Sequence, residues 1–218
     1  MIHPHSQLKM IDQNIGYGVF ATSFIPKGTI TYVKDPLEIE LSQTAYDLLD
    51  PTYQAIAEKY SYLDEYGTRI ISWDIAKYVN HSCDCNTIST GYGFEIAIKD
   101  IKEGDEITDE YGLFNMKEQM TLSCGCRNCR KILTPSDVDV YYAAWDRKIK
   151  RALRELTHVT QPLMPFMDNA TYIAVMKFIN GESKYKSVYS LKYVPDTERA
   201  VRELTSAVPM FSAANTAA

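Results

Sequence analysis

Residues 78–86 read YVNHSCDCN, and a short way on residues 99–112 read KDIKEGDEITDEYG. The flanking runs GTRIISWDI (67–75) and YGFEIAIKDI (92–101) are rich in β-branched and aromatic residues and pattern as strands. The NHSCDCN segment is therefore expected between strands. It concentrates reactive groups: an amide with both donor and acceptor at Asn80, an imidazole at His81, and thiols at Cys83 and Cys85. Side chains two residues apart diverge in a helix and stand roughly 6.5–7 Å apart in a strand, so no His81–Cys83 hydrogen bond is expected and a thiol nucleophile is discounted.

Upstream, residues 16–29 read GYGVFATSFIPKGT. Gly16-Tyr17-Gly18-Val19-Phe20-Ala21 matches a dinucleotide-binding pattern, with Asp35 roughly where a ribose-binding acid would fall. Such a site needs a long helix directly after the glycines, and Pro26 and Gly28 interrupt that stretch, so a glycine turn between short strands is the better reading. From Tyr17 to Leu41 the runs VFA, TITYV and LEIEL continue as short strands broken by turns. SQTAYDLLDPTYQAIAEKY (42–60) has helical spacing, a Ser42 N-cap and a Pro51 able to open a second helix, which predicts a helical insert.

Downstream, SCGCRNCR (123–130) places Cys124, Cys126 and Cys129 within six residues. Three thiolates at this density suit a tetrahedral soft-metal site, zinc being favoured, and the fourth ligand must come from Cys83 or Cys85. The chain has five cysteines, an odd number, which speaks against a disulfide framework. After Thr134, Pro135, Ser136 and Asp137 form a helix start, and Val138, Tyr141, Tyr142, Trp145, Ile149, Ala152, Leu153 and Leu156 follow at helical spacing. Arg147, Lys148, Lys150, Arg151 and Arg154 fall on the other face, read as solvated rather than as a docking surface. Further helices are expected over 169–180 and 196–206, with the tail packed on the first part.

The 218 residues carry a net charge of −5, which argues against a protein that grips phosphate backbones, so no direct nucleic-acid partner is expected. Residues 1–130 hold 11 basic and 19 acidic side chains, net −8, which favours a basic partner. No stretch reaches the ~20 apolar residues of a membrane span, and MIHPHSQLKMIDQ lacks a leader's basic head and apolar run. The expectation is a soluble intracellular protein without membrane contact, cytoplasmic or nuclear.

These segments, in this order, resemble the SET-domain protein methyltransferases over about residues 14–130. GYGVFATSFIPKGT is similar to the family's opening G-x-G segment, YVNHSCDCN to its NHSCxPN motif, KDIKEGDEITDEYG to its (R/K)DI…GEELTxDYG motif, and the CxCxxC cluster to a post-SET zinc segment. The resemblance implies a mainly β fold with helices (α+β). It would comprise a SET domain over 14–117 with an insert around 42–66, a post-SET zinc segment over 118–131, and a helical C-terminal extension over 132–218. It implies a protein-lysine N-methyltransferase using S-adenosylmethionine, with a histone or other basic protein as acceptor. Gly16, Tyr17, Gly18, Asn80 and His81 would hold the cofactor, and Tyr111 would be the catalytic tyrosine. Tyr78, Asp109 and Phe114 would line the lysine channel. Cys83, Cys124, Cys126 and Cys129 would bind structural zinc, with Cys85, in the place of the motif's proline, the lesser alternative to Cys83.

Three positions depart from the family pattern. Asp109 stands where Phe or Tyr is usual, Lys77 where arginine is common, and Glu110 where the motif has Asp. Asp109 leaves the number of methyl groups unreadable, and Lys77 loses a planar bidentate fork. Asp109 and Lys77 also favour the rival reading of a catalytically silent SET fold that binds a partner. A third reading keeps the enzyme with a non-histone or small-amine acceptor.

Overall fold

The computed structural model describes residues 1–195, and the helix expected over 196–206 lies outside them. The strands are β1 (Ser6–Asp12), β2 (Gly16–Ala21), β3 (Ile30–Val33), β4 (Ile39–Leu41), β5 (Ser61–Leu63), β6 (Arg69–Ile71), β7 (Asn80–His81), β8 (Thr87–Ser89), β9 (Phe94–Ala97), β10 (Glu106–Asp109), β11 (Met120–Thr121) and β12 (Ile132–Leu133). The helices are α1 (Gln43–Asp47), α2 (Pro51–Tyr60), α3 (Asp137–Leu153) and α4 (Asn169–Ile179). The strands form small sheets in the orders β1-β2-β10-β7, β3-β9-β8, β4-β6-β5 and β11-β12. All pairings are antiparallel except β10 with β7. The fold is the mixed α+β type expected.

Local chemistry accounts for most boundaries. Ser42 Oγ accepts from the Ala45 amide at 3.1 Å and so opens α1. Asp50 caps α2 through the Thr52 amide at 2.9 Å, with Pro51 in the first turn, where its missing N–H costs nothing. At α3 Ser136 makes no side-chain cap. Asp137, the first helical residue, instead accepts from Thr134 Oγ1 at 2.6 Å and ties the entry turn to the helix. β1 has no counterpart in the sequence reading, because SQLKMID is an edge strand with nearly every side chain exposed or half-exposed and shows no apolar alternation.

Two apolar clusters hold the sheets. Val19, Ala21, Ile25, Ala97, Ile101 and Ile107 pack beneath the first sheet. The second cluster brings Ile30, Phe94 and Ile96 from β3 and β9 against Trp145, Ile149 and Leu153 of α3 and Val175 of α4. The tail therefore shares the core of the first part. Gln161 reinforces this by acting as a substitute strand: its Oε1 accepts from the Ile30 amide and its Nε2 donates to the Gly28 carbonyl, both at 2.8 Å. Tyr142, expected on the apolar face of α3, is 37% exposed and rings against Tyr189 instead. Arg147, Lys150, Arg151 and Arg154 are exposed, as a solvated face requires. Among the described residues no helix is long and apolar enough to cross a membrane.

Because Ile149 is fully buried in the shared cluster, Ile149→Ala should cost ~2–5 kcal/mol. Denaturant unfolding followed by tryptophan fluorescence and by circular dichroism should still show one coincident transition. An early separate transition of the helical part would contradict a common core.

Candidate active site

The site is built where residues 79–87 are laced across residues 106–111. β10 pairs with β2 through Ile107↔Val19 on one side and runs parallel to β7 on the other, with Thr108↔Asn80 and Asp109↔His81. A two-residue ladder is weak, and side chains complete it. Asn86 donates to the Glu106 carbonyl at 2.8 Å and accepts from the Thr108 amide at 2.9 Å. Thr87 Oγ1 donates to the Thr108 carbonyl at 3.0 Å, and the Ser82 amide donates to the Asp109 carbonyl at 3.2 Å. The chain then turns, and Tyr111 reaches back so that its hydroxyl donates to the Val79 carbonyl at 2.6 Å.

Two cavities meet at Tyr111. One, of about 400 Å³, is lined by Tyr62, Glu95, Asp109, Tyr111, Phe114 and Lys77 among others. The second, of about 320 Å³, is lined by Ile15, Asn80, His81, Glu106 and Tyr111 together with residues 120–124. Met120 also borders both. Tyr111 is half-buried, and desolvation followed by the charge of Asp109 raises its ionisation far above the ordinary tyrosine range, so it is a neutral phenol. Phe114 lies against Tyr111, ring centroids 5.2 Å apart. Tyr78 takes another place. It is the last residue of the 3₁₀ turn Ile75–Tyr78, which sends Lys77 and Val79 to the first cavity and leaves Tyr78 ringed by Tyr17 and Tyr60.

The glycine turn is tied to this lacing through one side chain. Asn80 Nδ2 donates to the Tyr17 carbonyl at 3.0 Å and to Glu106 Oε1 at 2.8 Å. A Cβ on Gly18 would lie 2.6 Å from Glu106 Oε1 and 3.0 Å from Asn80 Nδ2, so the bare backbone there makes room for these two side chains. Gly16, at φ +85°, supplies the left-handed turn between β1 and β2. Tyr17 itself is largely exposed.

His81 and Cys83 make contact, against expectation: His81 Nε2 lies 3.3 Å from Cys83 Sγ. In a regular strand residues two apart share a face but stand roughly 6.5–7 Å apart; here the chain leaves β7 at Ser82 in a turn, which closes that gap. His81 Nδ1 lies 3.0 Å from the Asp109 carbonyl, to which only a protonated Nδ1 can donate, and 3.2 Å from the Tyr111 amide. Burial, then the Arg130 charge, pushes His81 down to about 4, so the ring is neutral.

The thiols of Cys83, Cys124, Cys126 and Cys129 lie within 4.8 Å of one another. Cys124 Sγ is 4.0 Å from Cys83 and 3.4 Å from both Cys126 and Cys129. Zinc–sulfur bonds of ~2.3 Å in a tetrahedron place sulfurs ~3.8 Å apart, so the set fits a tetrahedral metal ion. The amides of Arg130 and Lys131 donate to Cys83 and Cys129 at 3.4 and 3.3 Å, contacts suited to thiolates. Cys85 lies outside the group, buried in the second apolar cluster, where burial drives its thiol well above the ordinary range.

Arg130 joins this segment to everything around it. Its guanidinium bonds Glu110 Oε1 at 2.5 Å and Asp137 Oδ2 at 3.0 Å and lies over Tyr141 and Trp145 of α3. Glu110, 2% exposed, is raised by burial and held back by Arg130. Arg130, Asn86, Glu95 and Glu106 were not singled out from the sequence. Only Glu95 carried a signal there, as a charge inside the apolar run YGFEIAI; the others are ordinary polar residues whose partners lie far along the chain.

Arg130→Met should destabilise by ~3–5 kcal/mol at neutral pH, because it leaves the Glu110 carboxylate buried without its cation. Adding Glu110→Gln should restore much of that loss. A single variant as stable as wild type in urea would show that the ion pair does not anchor the segment.

The family model for the SET domain matches residues 16–112. No curated protein matches the chain. Among solved structures it is similar to the methyltransferase domain of the human histone-lysine N-methyltransferase SETMAR, at 18% identity and a TM-score of 0.41, covering 61% of this chain and 58% of that one. It is also similar to KRYPTONITE in complex with mCHG DNA and SAH, at 22% identity and a TM-score of 0.41, covering 59% of this chain and 29% of that one. The chain thus spans less than two thirds of either neighbour. The stretch from Gly16 to Gly112, which contains β2, the NHSCDCN turn and β10 up to Tyr111, is a SET domain.

Proposed function

We propose that the protein is an S-adenosylmethionine-dependent methyltransferase whose acceptor is the side-chain amine of a lysine in a basic protein. The observation that carries this reading is that Tyr111 borders both cavities, so one phenol faces a donor site and an acceptor site at once. The second cavity suits the cofactor. Its volume of about 320 Å³ is of small-ligand size, Glu106 is a carboxylate in its wall, and the cofactor carries a sulfonium and an ammonium. When bound, the cofactor supplies a methyl group on a sulfonium for in-line displacement.

The chain's part is to bring in a neutral amine and aim it. Tyr111 commits its proton to the Val79 carbonyl, so its oxygen presents lone pairs and accepts an N–H from the amine, turning the nitrogen lone pair outward. Gly16, Tyr17 and Gly18 shape the cofactor edge through Asn80 rather than by open space, and His81 backs the same wall. The first cavity takes the acceptor, with Phe114 and Asp109 in its lining and Tyr78 behind it. The four-thiol group would hold zinc as a structural ion, fixing residues 120–124 along the second cavity. The net −8 of residues 1–130 favours a basic acceptor over nucleic acid.

Labelled S-adenosylmethionine and a panel of basic proteins test the assignment. Tyr111→Phe should keep cofactor affinity and lower methyl transfer by ~10²-fold or more. Label absent from every protein with wild type would leave the silent binding fold. Elemental analysis should find zinc at one ion per chain, lost in Cys126→Ser, and chelation should loosen the segment after Leu122 ahead of the β core. Full activity in a metal-free preparation would remove zinc from the account.

A further inference from the structure

The first cavity contains a pair of acids that the reading above leaves without a task. Asp109, at the end of β10, is 1% exposed, and neither of its carboxylate oxygens has a hydrogen-bond donor. Glu95, on β9, lines the same cavity, and the two carboxyls are close enough to interact. Two ionised carboxylates are acceptors only, so they can bond to each other only when one carries a proton. Burial, foremost, pushes Asp109 up to about 7, and burial with the Asp109 charge holds Glu95 well above the usual carboxylate range. Burying acids without a counter-ion is expensive, and among the described residues no ion pair reaches either one. Tyr62, Tyr111 and Phe114 line the same space, and aromatic faces favour a cation.

We propose that Asp109 and Glu95, sharing one proton, form a binding site for the primary ammonium head of the acceptor, and that Asp109 takes the proton that makes the amine reactive. This rests on the methyltransferase reading for its second half only. In that step the N–H bond breaks, its electron pair stays on nitrogen, and the proton passes to the Asp109 carboxylate, leaving both carboxyls protonated. After methyl transfer to the neutral amine, the product is a methylammonium, and the proton held by the pair leaves to solvent as the one proton that methylation releases. The neutral amine can then donate one N–H to Tyr111 while its lone pair faces the second cavity. Asp109 thereby does what an aromatic residue at this position cannot.

Calorimetry of the full chain with n-butylammonium and with 1-butanol tests the site without turnover. Wild type should bind the ammonium at least 10-fold more tightly than the alcohol, and Asp109→Asn should abolish that preference while leaving S-adenosylmethionine affinity unchanged. Glu95→Gln should weaken it and provides a second variant should Asp109→Asn fold poorly. In turnover, Asp109→Asn should raise KM for a lysine peptide as well as lower kcat. Equal binding of ammonium and alcohol by wild type would overturn the proposal with no variant needed. Methyl transfer by wild type with an ammonium preference that survives in both variants would overturn it while sparing the methyltransferase reading. An Asp109-dependent preference in a protein that methylates nothing would keep the cation site and overturn that reading instead.

Discussion

The parallel contact between β7 and β10, two residues long, constrains everything that follows in the site. It sets Asn80 beside Thr108 and His81 beside Asp109, and so brings residues nearly 30 apart in sequence to one seam. Such a ladder has too few backbone hydrogen bonds to stand alone. Asn86, Thr87 and Ser82 add bonds to β10 carbonyls and amides, and Tyr111 closes the crossing through Val79. These side-chain bonds end on backbone atoms of β10 and Val79, so the crossing fixes where the Tyr111 phenol sits. The two cavities are the spaces left on either side of that phenol.

A seam this polar has to be carried by apolar packing elsewhere, and the two clusters lie beside it. Val19 and Ile107 come from the strands that present Gly18 and Thr108, so each strand buries one face while its other face or its end serves the site. On the far side α3 covers the seam: Trp145 would meet a Cβ on Gly112 at 2.9 Å, and Arg130 reaches from the cysteine segment to Glu110 and Asp137. The helical part is therefore structural to the site, since it supplies a counter-charge partner and the aromatic floor on which Arg130 rests.

What was legible in the sequence follows from range. Ser42 and Asp50 cap amides two or three residues away and Pro51 sits at the first turn of α2, so α1 and α2 are readable locally. Val138, Trp145, Ile149 and Leu153 repeat at helical spacing, so α3 is readable too, whereas Tyr142 shows that spacing alone does not say how wide the buried stripe is. β1 gave no signal because an exposed edge strand buries no alternate face. The His81–Cys83 contact was misjudged because a turn obeys neither periodicity, and the Arg130–Glu110 pair spans elements whose juxtaposition no local pattern encodes. The site residues named by motif fall around one seam, apart from the Tyr78 ring, which packs against Tyr17 and Tyr60.

The charge at Asp109 also bears on why an acceptor would enter this cavity at all. A lysine with a pKa of ~10.4 is about 0.1% neutral near pH 7.4, so selecting the neutral form from solution costs about 4 kcal/mol before any chemistry. Burial alone can lower that pKa only by making the ammonium less welcome, which weakens binding of the abundant form. A buried carboxyl pair with one proton works in the opposite order. It attracts the charged head, which is the form present, and then offers a proton acceptor whose own ionisation is already disfavoured by burial, so that the neutral amine and neutral acid become competitive with the ion pair inside the cavity. Tyr111, held neutral and hydrogen-bonded to Val79, does not compete for that proton. On the proposed reading, recognition and deprotonation of the amine fall to one pair of residues, and the tyrosine is left with orientation alone.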